Sequence, residues 1–139
     1  MAEYSANAVQ TVQPGATIIF TDTPVPCTRG FVRHRDDTGS FLLSGYVPYT
    51  GGCNCCKSKS AQYLVDFGCN VALAEGATVE PISVTFSLDG SAIQSSTMIS
   101  TPAAVGDYNN ISRAVNVDVW RGCCEALTIT NTGTQPISV

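Results

Sequence analysis

The chain has 139 residues, which is enough for one domain with a buried core. Only 13% of the residues are charged and the formal net charge is -4, so nucleic acid is an unsuitable partner, because phosphate binding needs a basic patch. No stretch of sequence reaches the roughly 18 consecutive apolar residues of a membrane span. We therefore expect no nucleic-acid partner and no membrane partner.

The composition is typical of an all-β protein, because glycine, serine, threonine and β-branched residues are plentiful and there are only two lysines. The first five residues lack the basic and then apolar layout of a signal peptide, so we expect synthesis without one; secretion is the alternative. Seven cysteines are many for a cytosolic product. An assembly released by lysis, such as a virion or a spore surface, reconciles the two observations.

The first third of the chain predicts an arm followed by short strands. Residues 1–8 are small and polar and predict a flexible or docking arm, and residues 16–20 predict a strand. Two prolines make 21–26 a loop or an edge segment. Residues 30–34 and 40–46 predict an antiparallel pair around a turn. Residues 48–60 have no periodicity and predict a surface loop rich in cysteine.

Two amphipathic stretches follow this loop and dominate the pattern. Residues 63–73 place Tyr63, Val65 and Phe67 on one parity, and residues 82–88 alternate without a break until the turn dipeptide Asp89-Gly90. Because a strand sends successive side chains to opposite faces, each stretch has one face to bury. The two strands form either a hairpin or parts of two facing sheets.

The last third adds further strands at 93–99, 108–120 and 123–130, and one that begins at 137. In 108–120 the inward parity contains Ile111 and three valines, and Trp120 lies on the opposite parity. Eight to ten strands with a turn every 8–12 residues predict a single antiparallel β-sandwich or jelly roll over residues 9–139.

A family resemblance rests on two sets of residues. The stretches Tyr63-Leu64-Val65-Asp66-Phe67 and Val84-Thr85-Phe86-Ser87-Leu88-Asp89-Gly90-Ser91-Ala92-Ile93 resemble the jelly rolls of the tumour necrosis factor and complement-globular-head type. The segment 100–108, together with 121–124 and 129–132, is similar to small prophage proteins of spore-forming bacteria. The Cys-x-Cys-Cys loop departs from that pattern, and such domains usually close with one more strand after the position of Val139.

The resemblance implies a TNF-like homotrimer packed through sheet faces, with Leu64, Ala72 and Trp120 as interface candidates. The function that it implies is structural: a self-assembling phage virion subunit, of capsid-decoration or fibre type, with itself and with capsid or surface-layer proteins as partners. A spore-surface or appendage subunit cross-linked by disulfides is one alternative. A trimeric head that binds a receptor or a glycan is another.

Catalytic residues are not indicated by the sequence. The only histidine, His34, has arginines on both sides and two aspartates after it, with no serine or cysteine motif, so an exposed strand-end residue is the favoured interpretation. The carboxylates Asp66 and Asp118 lie on outward parities, which indicates solvated faces. We therefore expect no enzyme activity and no cofactor.

The cysteines form the one chemical constellation. Cys53 and Cys56 have the spacing of zinc ligands, with Cys123 as a third, although an adjacent cysteine pair is poor geometry for one metal. Disulfides, within or between subunits, are the favoured interpretation, and an odd number of cysteines leaves one thiol over. Cys69 lies on the inward parity and is expected to pack as a small hydrophobic residue. The disulfide candidates are Cys27, Cys53, Cys55, Cys56, Cys123 and Cys124.

Overall fold

The computed structural model describes residues 1–46, 59–122 and 124–139. Within these ranges the regular elements are β-strands and one 3₁₀ turn at Gln94–Ser96, and no helix is long and apolar enough to cross a membrane. The strands are β1 Glu3–Ser5, β2 Thr11–Val12, β3 Asp22–Val25, β4 Val32–His34, β5 Phe41–Ser44, β6 Ser60–Leu73, β7 Ile82–Leu88, β8 Ser91–Ala92, β9 Met98–Ser100, β10 Asn109–Trp120, β11 Cys124–Asn131 and β12 Ile137–Ser138.

The strands form three antiparallel sheets, which confirms the predicted all-β, antiparallel class. One sheet has the order β10-β6-β12-β2, and the other large sheet has the order β4-β5-β11-β7-β8, with β9 also paired to β7. A third, two-stranded sheet joins β1 to β3. The two large sheets contribute to one apolar core, in which the rings of Phe67 on β6 and Phe86 on β7 are 6.1 Å apart. The architecture is therefore sandwich-like.

The strand β6 is the longest element, and its two sides are paired very differently. On one side it pairs with β10 from Ser60, opposite Trp120, to Val71, opposite Asn109. This register is unbroken through Gly68, which is opposite Ser112, so β6 has no bulge along β10. On the other side β12 pairs only with Ala72 and Leu73.

The period-two pattern of β6 and β10 selects the buried face as predicted. On β6, Phe67 and Val71 are buried, whereas Leu64 on the opposite parity is 74% exposed. On β10, Val117 and Val119 are buried in the same core. Because β7 lies in the other large sheet, β6 and β7 are parts of facing sheets and not a hairpin.

Two predicted strands are replaced by irregular structure. Residues 16–20 form only isolated bridges, because their backbone bonds go to different neighbours: Ile18 N donates to Ile129 O at 2.8 Å and Phe20 N to Thr38 O at 3.1 Å. The stretch 93–99 is interrupted by the 3₁₀ turn, in which the buried hydroxyl of Ser96 accepts from Phe86 N at 3.0 Å. In both places local side-chain and backbone contacts overrode the alternation.

The side chain of Asn131 connects the end of β11 to the two short strands that complete the sheet of β6. It is fully buried, and its Nδ2 donates to Val12 O at 3.0 Å and to Gln135 O at 2.9 Å. Its Oδ1 accepts from Gly133 N at 3.0 Å. These three side-chain hydrogen bonds of Asn131 therefore hold β2 and the turn before β12 in position.

The substitution Asn131→Ala is expected to destabilise the fold by about 2–3 kcal/mol, because it removes the amide donor from the carbonyls of Val12 and Gln135 and the acceptor from Gly133 N. Urea unfolding followed by circular dichroism measures this loss. The control is Asn70→Ala, at an exposed residue bonded only to Asn110, which should change the stability by less than about 0.5 kcal/mol. Equal effects of the two substitutions would contradict this role for Asn131.

Glycine is required at position 39 by a close backbone approach. A Cβ built on Gly39 would lie 2.5 Å from Ile18 O and 2.7 Å from Thr17 Cβ, whereas one built on Gly68 would lie 3.6 Å from Ser112 Cβ. We expect Gly39→Ala to lower the free energy of unfolding by about 1–3 kcal/mol and Gly68→Ala to leave it unchanged or raise it slightly. Thermal melts of both variants make the comparison, and a stable Gly39→Ala protein would refute the packing described here.

Candidate functional site

A cavity of about 520 Å³ lies at the side of β6 that faces away from β10. The six-stranded sheet covers it with residues of β4, β5 and β11, the inward residues of β6 form its opposite wall, and the N-terminal residues 1–6 close a third side. Its volume is within the range of sites that hold ligands or side chains of partners. The main lining residues are Ile18, Phe20, Val32, Phe41, Leu43, Tyr63, Val65, Phe67, Cys69, Leu127 and Ile129.

The backbone of β6 at the cavity mouth is unpaired for most of its length. Arg121 N donates to Lys59 O, and this fixes the odd-numbered residues of β6 as the ones whose backbone groups point to β10. Ala74 N donates to Pro136 O, which shows the even-numbered side turned to β12. Among the described residues, no strand pairs with this second side between Gln62 and Asn70.

An aromatic cluster forms the wall of the cavity beside the N-terminal arm. The ring of Tyr4, on β1, is 4.8 Å from Phe41 and 5.1 Å from His34. His34 stacks on Phe41 at 4.4 Å, and its Nε2 and Nδ1 lie 3.1 Å from Phe20 O and Ser40 O, respectively. His34 does end β4, as predicted, but the prediction that it is exposed is wrong, because its ring is packed and half-buried.

Cys27 lies at the cavity in a loop whose backbone amides face its sulfur. The N–H of Val32 makes the largest contribution, and those of Phe31, Arg29 and Gly30 add to it, so together they lower the pKa of the Cys27 thiol. Backbone donors stabilise the thiolate in the same way that they stabilise other anions. The Cys27 thiol therefore ionises more readily than an ordinary cysteine thiol.

Cys69 lies at the other side of the same cavity and has the opposite electrostatic character. Burial against apolar side chains raises its pKa to about 11. The prediction that it packs inward is confirmed, because it contacts the hydrophobic core from the inward face of β6. A neutral thiol in this place acts as a small hydrophobic residue.

The hydroxyl of Tyr63 is anchored between two backbone carbonyls. It lies 2.5 Å from Ser44 O and 3.2 Å from Phe31 O, and so connects β6 to the ends of β4 and β5. Burial raises the pKa of Tyr63, and Cys27 and Cys124 add to the increase. The side chain is thereby a fixed part of the cavity wall.

The three predicted interface residues differ in their exposure. Leu64 and Trp120 are 74% and 66% exposed on the outward face of β6 and β10, as that prediction requires. Ala72 is completely buried, so its place on an exposed face is corrected. The reason is local: β12 pairs with this end of β6, and Gly106 of the loop before β10 donates to Leu73 O.

Most of the cysteine hypotheses fall outside the described residues. Cys53, Cys55 and Cys56, within the predicted loop 48–60, and Cys123 are not described, so the zinc set and most of the disulfide candidates stay predictions. Cys27 is a free thiol, and Cys124 lies half-buried at the start of β11. Within the described ranges, no three His, Cys, Asp or Glu side chains are grouped so as to hold a metal ion.

The unpaired edge and the cavity beside it were missed by reasoning from the sequence. One signal pointed to them: the long alternating stretch 63–73 had only one comparably long alternating stretch in the chain to pair with, at 108–120. Strand lengths therefore indicate that few strands could match β6, but they do not show which side of β6 would lack a partner.

No known family model matches this sequence, and a search of curated proteins finds no match.

We expect iodoacetamide at pH 7 to modify Cys27 before Cys69, because the lowered pKa of Cys27 gives it more thiolate and the raised pKa of Cys69 leaves it protonated. Peptide mapping by mass spectrometry after a short reaction gives the two rates. In urea, which removes both environments, the rates should become similar. Native Cys69 that reacts as fast as native Cys27 would contradict the placement of both thiols.

Proposed function

We propose that the protein is a structural subunit that acts by associating with copies of itself, as a jelly-roll component of a phage virion. The observation that carries the proposal is the outward face of β6 and β10, where Leu64 and Trp120 remain exposed on the two longest strands. Exposed tryptophan and leucine on a rigid strand pair are suitable anchors for a protein interface, since a few large side chains supply most of the energy of association.

Strand order supports the jelly-roll part of the proposal. In the sheet β10-β6-β12-β2 and in the run β4-β5-β11-β7, the late strands β12 and β11 lie between early ones. Such crossing between the two sheets is typical of jelly rolls, in which successive strands alternate between layers. A trimer packed through the face of β6 and β10 would cover Leu64 and Trp120.

The face also limits the proposal, because most of its other residues are polar. Leu64 is opposite Asn116, and Gln62 and Asp118 separate that pair from Trp120. The association therefore rests on two apolar anchors surrounded by polar groups, which is the usual composition of an interface between subunits that also fold alone.

We expect the purified protein to be a trimer by light scattering coupled to size exclusion, with and without reductant. Trp120→Ala should shift the population towards monomer by at least about tenfold in dissociation constant, as for an interface anchor. Ile99→Ala is the control, because Ile99 is 68% exposed and lies on β9, which pairs with β7 in the other large sheet. A monodisperse single-copy protein would overturn the proposal.

The same experiment separates the spore-surface alternative from the virion proposal. A ladder of oligomers that collapses only when reductant is added would favour an appendage subunit cross-linked by disulfides. A trimer that is indifferent to reductant favours association through the face of β6 and β10.

A glycan-binding head is the second candidate function, and the 66% exposure of Trp120 is the observation that favours it. An exposed indole can stack on a sugar ring, as aromatic rings do on other flat apolar surfaces. Binding to a glycan array that is lost in Trp120→Ala, while the trimer persists, would select this function over a purely structural one.

A further inference from the structure

Two strand edges border the cavity. The unpaired side of β6 borders it on one side, and β1, which is paired only with β3, borders it on the other. Between them lies the path along which β12 would continue, since Ile137 and Ser138 pair with Leu73 and Ala72 and the next residue, Val139, lines the cavity. A strand placed on this path would extend the sheet of β6 towards β1.

The free backbone groups of β6 define the chemistry of such a strand. The even-numbered residues Gln62, Leu64, Asp66, Gly68 and Asn70 present both N–H and C=O to the vacant side. An unpaired strand edge of this length is a template for another strand, because main-chain bonds supply affinity and alternate side-chain positions supply specificity.

The cavity supplies the second half of the recognition. Inward side chains of an added strand would enter the space bordered by Val65, Phe67 and Cys69, below Phe41 and Leu43 of the opposite sheet. This lining is apolar, so the strand must carry uncharged, apolar side chains at every second residue.

The opposite sheet also restricts what can enter. Residues of β4 and β5 lie over the cavity beyond the edge of β6, and the N-terminal residues close its far side. A single extended segment needs less room beside this lining than the edge of a second sandwich does.

The negative charges at the cavity mouth favour basic side chains on the outward face of the bound segment. Glu3 and Asp66 border the cavity, and no lysine or arginine is among its described lining residues. On the β10 side, Asp66 is opposite the uncharged Ala114, so its charge has no cross-strand partner there. A basic residue opposite Asp66 would supply one. The N-terminal arm of a second copy has no basic side chain to place opposite Asp66, so it is the poorer occupant.

We propose that the free edge of β6 and the adjoining cavity bind an extended segment of a partner polypeptide, apolar at alternate residues and basic at the residues between them, antiparallel to β6 in line with β12. The site belongs to one subunit and does not depend on self-association. It gives the protein a means to attach to a different protein by strand addition.

The probe is the fluorescently labelled peptide acetyl-Lys-Val-Lys-Val-Lys-Val-Lys-amide, followed by fluorescence anisotropy with the full chain. The residues of β6 whose backbone groups face this edge have outward side chains. Residues directly opposite each other in an antiparallel pair have side chains on the same face, so the outward lysines of the probe are the residues whose backbones are bonded to β6. Methylation of the lysine amide nitrogens should therefore weaken binding at least about tenfold. A glutamate-for-lysine version of the peptide should bind more weakly still.

Two substitutions at one residue separate the backbone edge from the side chain. Leu64→Pro removes an N–H from the vacant side and leaves the bonds of its neighbours to β10, whereas Leu64→Thr keeps the edge and changes only the side chain. We expect at least about tenfold weaker binding for Leu64→Pro than for Leu64→Thr, which lacks the leucine side chain as well. Asp66→Asn should weaken binding of the lysine peptide and leave binding of an uncharged peptide, with threonine in place of lysine, unchanged.

The outcomes decide the proposal independently of the oligomeric state. Equal binding of the methylated and unmethylated peptides, or wild-type binding by a Leu64→Pro protein with an unchanged circular dichroism spectrum, would overturn it. Displacement of the peptide by the synthetic segment 1–8 at equal concentration would also overturn it, because the occupant would then be a second copy. A monomeric protein that binds the peptide as described supports the strand site and contradicts only the self-assembling function.

Discussion

The central constraint on this molecule is that a β-strand has two hydrogen-bonding sides, and β6 uses them unequally. One side is paired with β10 from Ser60 to Val71, and the other is paired only with the two residues of β12. The sheet of β6 is therefore narrower than the sheet that covers it. The cavity and the exposed backbone edge both follow from this difference in width.

Side-chain hydrogen bonds and ring contacts, rather than further strands, hold the elements around the cavity in place. Asn131 holds β2 and the turn before β12 in place, and the hydroxyl of Tyr63 joins β6 to the ends of β4 and β5. Tyr4 of the N-terminal arm packs against Phe41 at one side of the cavity. These contacts stabilise the frame around the cavity without filling it.

Environment gives the same side chain opposite properties within one cavity. Backbone amides around Cys27 favour the thiolate, whereas apolar burial of Cys69 favours the neutral thiol. The difference illustrates that a cysteine pattern in a sequence does not define its chemistry. The proposed functions accordingly rest on surfaces: the anchors Leu64 and Trp120 on the face of the sheet, and the backbone of β6 at its edge.

The amino-acid sequence by itself determined the class of the fold, the two long strands and their buried faces, because the period-two alternation at 63–73 and 108–120 is a local property. It also determined the Asp89-Gly90 turn, where both residues have positive φ, of 47° and 81°. Only the tertiary structure decided that Ala72 is buried, that residues 16–20 bridge different neighbours, and that no strand of the described residues pairs with the second side of β6 between Gln62 and Asn70. Each of these depends on which distant segments meet, and alternation along a strand specifies which face is apolar but not how many strands lie beside it.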